Sequence, residues 1–301
     1  MSSGVRNITC FPEPVCQLGE GPVWSANERA LHWIDCDGRA MFDMDIASGS
    51  VRRTDLPKAP GSYAMRARGG MIMAYRNQLA LIAADGLTHE VVPTPCIDFA
   101  LERFNDGRCD RRGRFWVGSM DKSLKAPAGG LFRVDADLSV QRVAGDIVLS
   151  NGIAMSPDDR TLYHTDSRAP VIYAYDFDID AGAVSNRRVF SDFRHCCGRP
   201  DGCVMDAEGC VMDAEGCLWV AEYDGGCVVR LDPAGRRMEE IAMPVSRPTC
   251  PVFGGDDLRT LYVTSMRLGL TEDALREQPH AGCLFAVEVG VPGLPETPFA
   301  G

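Results

Sequence analysis

A turn rich in Asp, Asn or Gly, followed at once by a short apolar-aromatic run, recurs along this chain. It is read at SANERALHWID (25–35), DRRGRFWVGS (110–119), SPDDRTLYHTD (156–166), DAEGCLWVAEY (213–223) and GGDDLRTLYVTS (254–265), with a weaker relative at RGGMIMAYRN (68–77). Apolar residues that alternate with period two between turn formers predict strands, not helices. Further strand patterns follow at GGLFRVD (129–135), VIYAYDFD (171–178) and GCVVRLD (226–232), whereas TEDALREQ (271–278) offers one or two helical turns. The units return about every 35–50 residues, the length of a four-stranded propeller blade, and six of them fit the chain. A β-sandwich also uses short strands, but it does not call for one turn-plus-aromatic signature six times. The expectation is an all-β protein: a six-bladed β-propeller of four-stranded antiparallel blades, one domain over residues 1–301.

Charge and composition narrow the function. A net charge of −11 and a pI near 5.0 speak against nucleic acid, whose phosphates call for Lys and Arg, and against an anionic membrane surface. The opening MSSGVRNITCFPEP has no apolar core of a signal peptide. No run approaches the apolar length that spans a bilayer. The thirteen cysteines are odd in number, scattered and without a C-x-x-C pair, which predicts reduced, mostly buried thiols in a cytoplasmic protein.

In a propeller the first strand of each blade lines a central channel, so residues at the entry to those strands face one another. Four blades place an oxygen-bearing side chain before a glycine: Glu20 in LGEGPVW, Asn105-Asp106 in ERFNDGR, Asn151 in LSNGIAM and Asp201 in RPDGCVM. Asn-Gly and Asp-Gly are ordinary turn dipeptides. Their recurrence at one blade position, and the presence of Glu20 among them, point instead to oxygen donors converging on a hard divalent cation. Other chemistries lack their motifs: there is no G-x-S-x-G, no H-E-x-x-H and no P-loop. His195-Cys196-Cys197 offers soft ligands on a loop, His164 reads as a structural histidine, and Trp24, Trp33, Trp116 and Trp219 fall where blades pack.

With LGEGPVW, RFNDG, SNG, RPDG, VSNRRVF (184–190) and the terminal FGG…LYVTS…QPHAGCLFAV, the chain resembles the gluconolactonase, regucalcin (senescence marker protein) and luciferin-regenerating enzyme family. The motifs run in order from about residue 15 to 290. The resemblance implies a propeller with one divalent metal (Ca, Zn, Mg, Mn or Fe(II)) in its channel, bound by Glu20, Asn151 and Asp201. It implies that Arg103 and Asn105 line a sugar-lactone site. Where animal members carry acidic residues that help bind substrate, this chain reads GSMDKSL, so Asp121 is the remaining acidic candidate, followed by Lys122 and Ser123. The activity implied is metal-dependent hydrolysis of an aldonolactone, such as gluconolactone or a pentonolactone, to the aldonic acid, with Asp201 also handling the proton of the attacking water. A non-catalytic calcium-binding regulator and an esterase or phosphotriesterase on the same scaffold are the alternatives.

One feature is peculiar to this chain. CVMDAEG at 203–209 returns verbatim at 210–216, directly after Asp201. Either 203–206 forms the channel strand and the surplus swells the following turn, or 210–213 does and the surplus enters the loop before it. In the second register Glu208-Gly209 replaces Asp201-Gly202 at the site. The first register is expected, because metal binding through the shorter Asp201 favours it by linkage.

Overall fold

The computed structural model describes residues 6–86, 89–207 and 216–301. It contains six four-stranded antiparallel sheets. The first holds β2 (Gly19–Ser25), β3 (Ala30–Asp35), β4 (Ala40–Asp45) and β5 (Val51–Asp55); the second holds β6 (Pro60–Met65), β7 (Met71–Tyr75), β8 (Gln78–Ile82) and β9 (His89–Val92). The third comprises β10 (Glu102–Cys109), β11 (Phe115–Asp121), β12 (Gly129–Val134) and β13 (Val140–Ile147); the fourth β14 (Ser150–Met155), β15 (Thr161–Asp166), β16 (Val171–Asp178) and β17 (Ala183–Asp192). The fifth is β18 (Arg199–Met205), β19 (Leu218–Tyr223), β20 (Cys227–Leu231) and β21 (Arg237–Ala242). The sixth takes β22 (Pro248–Gly254), β23 (Thr260–Ser265) and β24 (Leu284–Glu288) from the end of the chain and β1 (Ile8–Phe11) from its beginning. The first strands β2, β6, β10, β14, β18 and β22 neighbour one another in a closed cycle. This is the expected six-bladed propeller.

The recurrent turn has a local cause. Asp110 accepts the backbone N–H of Arg112 at 2.9 Å, and in the β20–β21 turn, which lacks the aromatic, Asp232 likewise accepts those of Ala234 and Arg236, each at 2.9 Å. The side chain replaces the ladder bonds that end at the turn. The fourth residue then adopts positive φ: +74° at Gly113 and +77° at Gly235. The aromatic residue that follows packs between blades. Trp116 meets Phe177 of the next blade edge-on at 5.5 Å, and Trp219 meets Phe253 at 6.2 Å. Both indoles are fully buried, and each donates its Nε1–H to a buried Asp: Trp116 to Asp110 at 2.8 Å and Trp219 to Asp206 at 3.0 Å. A buried indole N–H needs such an acceptor.

The pairing of β18 decides the register of the repeat. Cys203 lies opposite Val220, Val204 opposite Trp219 and Met205 opposite Leu218. The first copy is therefore the strand, as expected, and Asp201 stays inside it. The surplus lies between Asp206 and Cys217, whose backbones are tied by Asp206 N–H to Cys217 O at 3.0 Å. Glu208 and the rest of 208–215 fall outside the described residues. The expected helical turns form one short helix, α1 (Glu272–Glu277), capped by Thr271, the one helix among the described residues. Most of the described cysteines are buried.

Candidate functional site

Each inner strand breaks its pairing just after it begins. The register shifts between Glu20 and Val23, Phe104 and Gly107, Asn151 and Ile153, and Pro200 and Cys203. A bulge re-aims side chains that a regular strand would alternate between faces. The Asn-Gly and Asp-Gly dipeptides thus sit within strands and not at turns. Their glycines serve close approach: a Cβ on Gly152 would meet Asp201 O at 2.5 Å, and one on Gly202 would meet Cys250 Sγ at 2.5 Å.

These bulges bring Glu20, Asn105, Asp106, Asn151 and Asp201 together. A chain of hydrogen bonds crosses three blades. Asn105 Nδ2 donates to Asn151 Oδ1 at 2.6 Å and to Ser150 O at 2.9 Å. Asn151 Nδ2 donates to Ser167 Oγ at 2.8 Å, and Ser167 Oγ–H to Pro200 O at 2.6 Å. With its Nδ2 donating to Ser167 and its Oδ1 accepting from Asn105, the Asn151 amide is held in one orientation. Ser167 was not evident from the sequence; it lies on the loop after β15 and is recruited only through space.

The carboxylates are electrostatically unsatisfied. Burial pushes the Glu20 carboxyl well above its ordinary range, and the charges of Asp201 and Asp106 push it further. Asp201 is raised in the same way, by burial and then by Asp106. Asp106 itself is raised by burial, which outweighs the opposing pull of Arg108. Among the described residues neither Glu20 nor Asp201 has a cationic partner. Buried like charges without compensation are costly. Two carboxylates and a fixed amide oxygen are the donor set that a hard divalent cation takes, so Glu20, Asn151 and Asp201 fit the metal that the sequence motifs imply.

Beside this acidic cluster stand two guanidinium groups. Arg103 Nη1 lies 3.5 Å from Asn105 Oδ1. Its pKa falls to about 10, through burial first and then the neighbouring charge of Arg76. Arg76 comes from the turn after β7 and is docked by Phe104 N–H to Arg76 O at 3.0 Å. It pairs with Asp37 at 2.8 Å, while its Nε is buried without an acceptor among the described residues. Nothing in its local sequence, AYRN, marks it.

Asp121 is placed differently. Its carboxylate accepts Ser123 Oγ–H, and the backbone N–H groups of Lys125 at 2.8 Å and Ala126 at 3.0 Å. Its Oδ2 closes the loop after β11, and in the β10–β11 register it lies opposite Glu102, the residue before Arg103. Asp35 and Asp166 end β3 and β15 at the same blade position and do similar work. Asp35 accepts Gln17 N–H at 2.8 Å, and Asp166 accepts Val148 N–H at 2.8 Å. His164 is structural as expected: it is buried, bonded to Ser150 Oγ at 2.7 Å, and burial lowers its pKa to about 3. Farther along the inner strands a cavity of about 700 Å³ is lined by Tyr63, Asp106, Arg108 and Glu296, the last two paired at 3.5 Å.

Comparison with known proteins agrees with this geometry. The chain is similar to a 6-deoxy-6-sulfogluconolactonase of Pseudomonas putida, 40% identical over 297 residues that cover 98% of this chain and 99% of the relative. It is 34% identical to regucalcin of Gallus gallus, over 98% of both. The solved structure of a calcium-binding protein, regucalcin, from Agrobacterium tumefaciens superposes with a TM-score of 0.89 at 28% identity, covering 97% of each chain. Residues 18–267 match the model of the SMP-30/Gluconolactonase/LRE-like region, and the chain belongs to that family.

Proposed function

We propose that this protein hydrolyses a sugar lactone to the open aldonic acid, using one divalent cation held by Glu20, Asn151 and Asp201. The observation that carries the reading is the uncompensated pair of half-buried Glu20 and buried Asp201 beside a fixed amide oxygen. The family and the sulfogluconolactonase relative support lactone hydrolysis. A cation bound there would polarise the lactone carbonyl and stabilise the developing oxyanion. Asp201 takes the proton of the attacking water and returns it to the ring oxygen as the acyl C–O bond breaks. Arg103 and Asn105 hold the sugar.

The finer reading concerns the substrate. An aldonolactone such as gluconolactone or a pentonolactone would use Arg103 as a donor to its hydroxyl oxygens and Asn105 Oδ1 as an acceptor, since both Asn105 amide hydrogens are given to Ser150 O and Asn151 Oδ1. The adjacent Arg103 and Arg76 favour a lactone with an acidic substituent remote from the carbonyl, because Arg103 has no carboxylate partner among the described residues and guanidinium groups suit sulfonate, phosphate or carboxylate oxygens. The sulfonate named for the Pseudomonas putida relative is of this kind. The test is acid release from gluconolactone, a pentonolactone and their 6-sulfo or 6-phospho analogues. The protein is first stripped with chelator, then given Ca, Mg, Mn, Zn or Fe(II). Metal-restored hydrolysis, fastest on an acidic lactone and selectively slowed by Arg103→Met, is expected. Metal binding without hydrolysis of any lactone overturns the reading and leaves a cation-binding protein.

A further inference from the structure

The strand that closes the propeller ring carries a second ligand cluster, far from the oxygen donors in sequence and different from them in chemistry. The cluster is built by a turn and a register. His280-Ala281-Gly282-Cys283 closes with Cys283 N–H to His280 O at 3.0 Å. Gly282 has φ +90°, the value that a type II turn requires at its third residue. No other residue fits, since a Cβ there would meet Cys16 O at 2.2 Å. The turn is pinned from both sides, by Cys16 N–H to Gly282 O at 2.8 Å and by Gly282 N–H to Ser265 Oγ at 3.0 Å. It therefore presents His280 and Cys283 with the spacing of a metal knuckle. On the facing strand, Cys10 lies opposite Phe285 and Phe11 opposite Leu284. This puts Cys10 diagonal to Cys283 on one face of the sheet, and the Cys283 thiol donates to Pro12 O at 3.6 Å beside it.

The ligand atoms of Cys10, His280 and Cys283 all lie within 4.8 Å of one another. Two sulfurs and one imidazole nitrogen around tetrahedral zinc stand roughly 3.5–3.8 Å apart. Small side-chain rotations close that difference. Cys283 is buried, Cys10 half-buried and His280 exposed, so a fourth position faces solvent.

We propose that Cys10, His280 and Cys283 form a binding site for a thiophilic divalent ion of the zinc class, which clamps the N-terminal strand to the last blade. Soft thiolates with imidazole select such an ion over the hard cations suited to the oxygen donors of Glu20, Asn151 and Asp201. Burial pushes the Cys283 thiol up to about 12, so the ion must displace a proton when it binds. The location gives the site a purpose. β1 pairs over four residues only, and it supplies the fourth strand of blade six. An ion shared between Cys10 and the 280–283 turn ties both ends of the chain and stabilises the ring by linkage.

The test uses the full chain with Cys96→Ser, Cys196→Ser and Cys197→Ser, which removes the other thiols that are not buried among the described residues. Co²⁺ is titrated into chelator-stripped, reduced protein and followed by visible absorption, then displaced with Zn²⁺. A thiolate-to-cobalt band that saturates at one equivalent, is lost in Cys10→Ser and in His280→Ala, and persists in Glu20→Gln is expected, with Zn²⁺ raising Tm only where the three ligands are intact. His280→Ala changes an exposed side chain and keeps the test open should Cys10→Ser fold poorly. A band that survives His280→Ala, cobalt bound without any thiolate band, or a Cys10–Cys283 disulfide found by mass spectrometry in the freshly purified protein overturns the proposal.

Discussion

Deleting residues 210–216 yields the same chain as deleting 203–209, so one variant measures what the doubled heptad does. In the present chain Asp206 ends the strand. Its carboxylate accepts Cys217 N–H at 2.8 Å, Trp219 Nε1–H at 3.0 Å and Arg230 Nε–H at 2.9 Å. Blade three has the same arrangement around Asp110, with Asp110 N–H to Arg114 O at 3.0 Å and Trp116 as the indole. There the closure spans residues 111–113, whereas here it spans 207–216. The deletion leaves three residues between the tied ends instead of ten, ending on the Gly216 that already has φ +60°. Loop-closure entropy then gives a stabilisation of about 1 kcal/mol, or a Tm rise of about 2 °C for a domain of this size. Asp201 lies on the strand side of the change. Lactone turnover is therefore expected to stay within about twofold, a barrier change below 0.5 kcal/mol. Differential scanning fluorimetry and acid release measure the two quantities. A tenfold or greater rise in kcat/KM would refute the reasoning, because it would mean that the doubled chain holds Asp201 out of the site. A fall in Tm would refute the loop argument.

Three further outcomes follow from the same contacts. Asp201→Asn should weaken divalent binding at least about tenfold, since a buried ligand charge is lost, while Glu208→Gln leaves calorimetric affinity unchanged; the reverse pattern would assign the site to the second copy. Asp110→Ala should cost about 3–5 kcal/mol in denaturant unfolding, because it strands the largely buried Arg114 that pairs with it at 2.7 Å. His164 is kept neutral by burial, with a pKa near 3 against an ordinary 6.5. The unfolded chain alone takes up this proton as pH falls below 6.5, so the stability is present above that pH and lost toward pH 3. The loss reaches about 2 kcal/mol at pH 5, and His164→Gln should flatten that part of the stability–pH curve.

What the sequence determined by itself was whatever is written locally and repeated. The Asp-x-x-Gly turns, the alternating strands and the interblade tryptophans recur with the blade period, so blade count and strand pattern could be read before any contact was known. The oxygen donors Glu20, Asn105, Asn151 and Asp201 were legible for the same reason: each occupies one position of a repeating unit. Tertiary structure alone decided the rest. Asp121 looks like a substrate residue in GSMDKSL, and the structure adds that its Oδ2 also ties down its own loop, through Ser123 Oγ–H and the backbone N–H groups of Lys125 and Ala126. Arg76 and Ser167 carry no motif and reach the site only because neighbouring blades dock their turns there. The choice between two identical heptads could not be made from their residues, since both offer the same side chains to β19. It was made by where Asp201 and Gly202 sit against Asn151 and Cys250 of the adjoining blades, because a period fixes what each blade is, and only packing fixes which atoms meet between them.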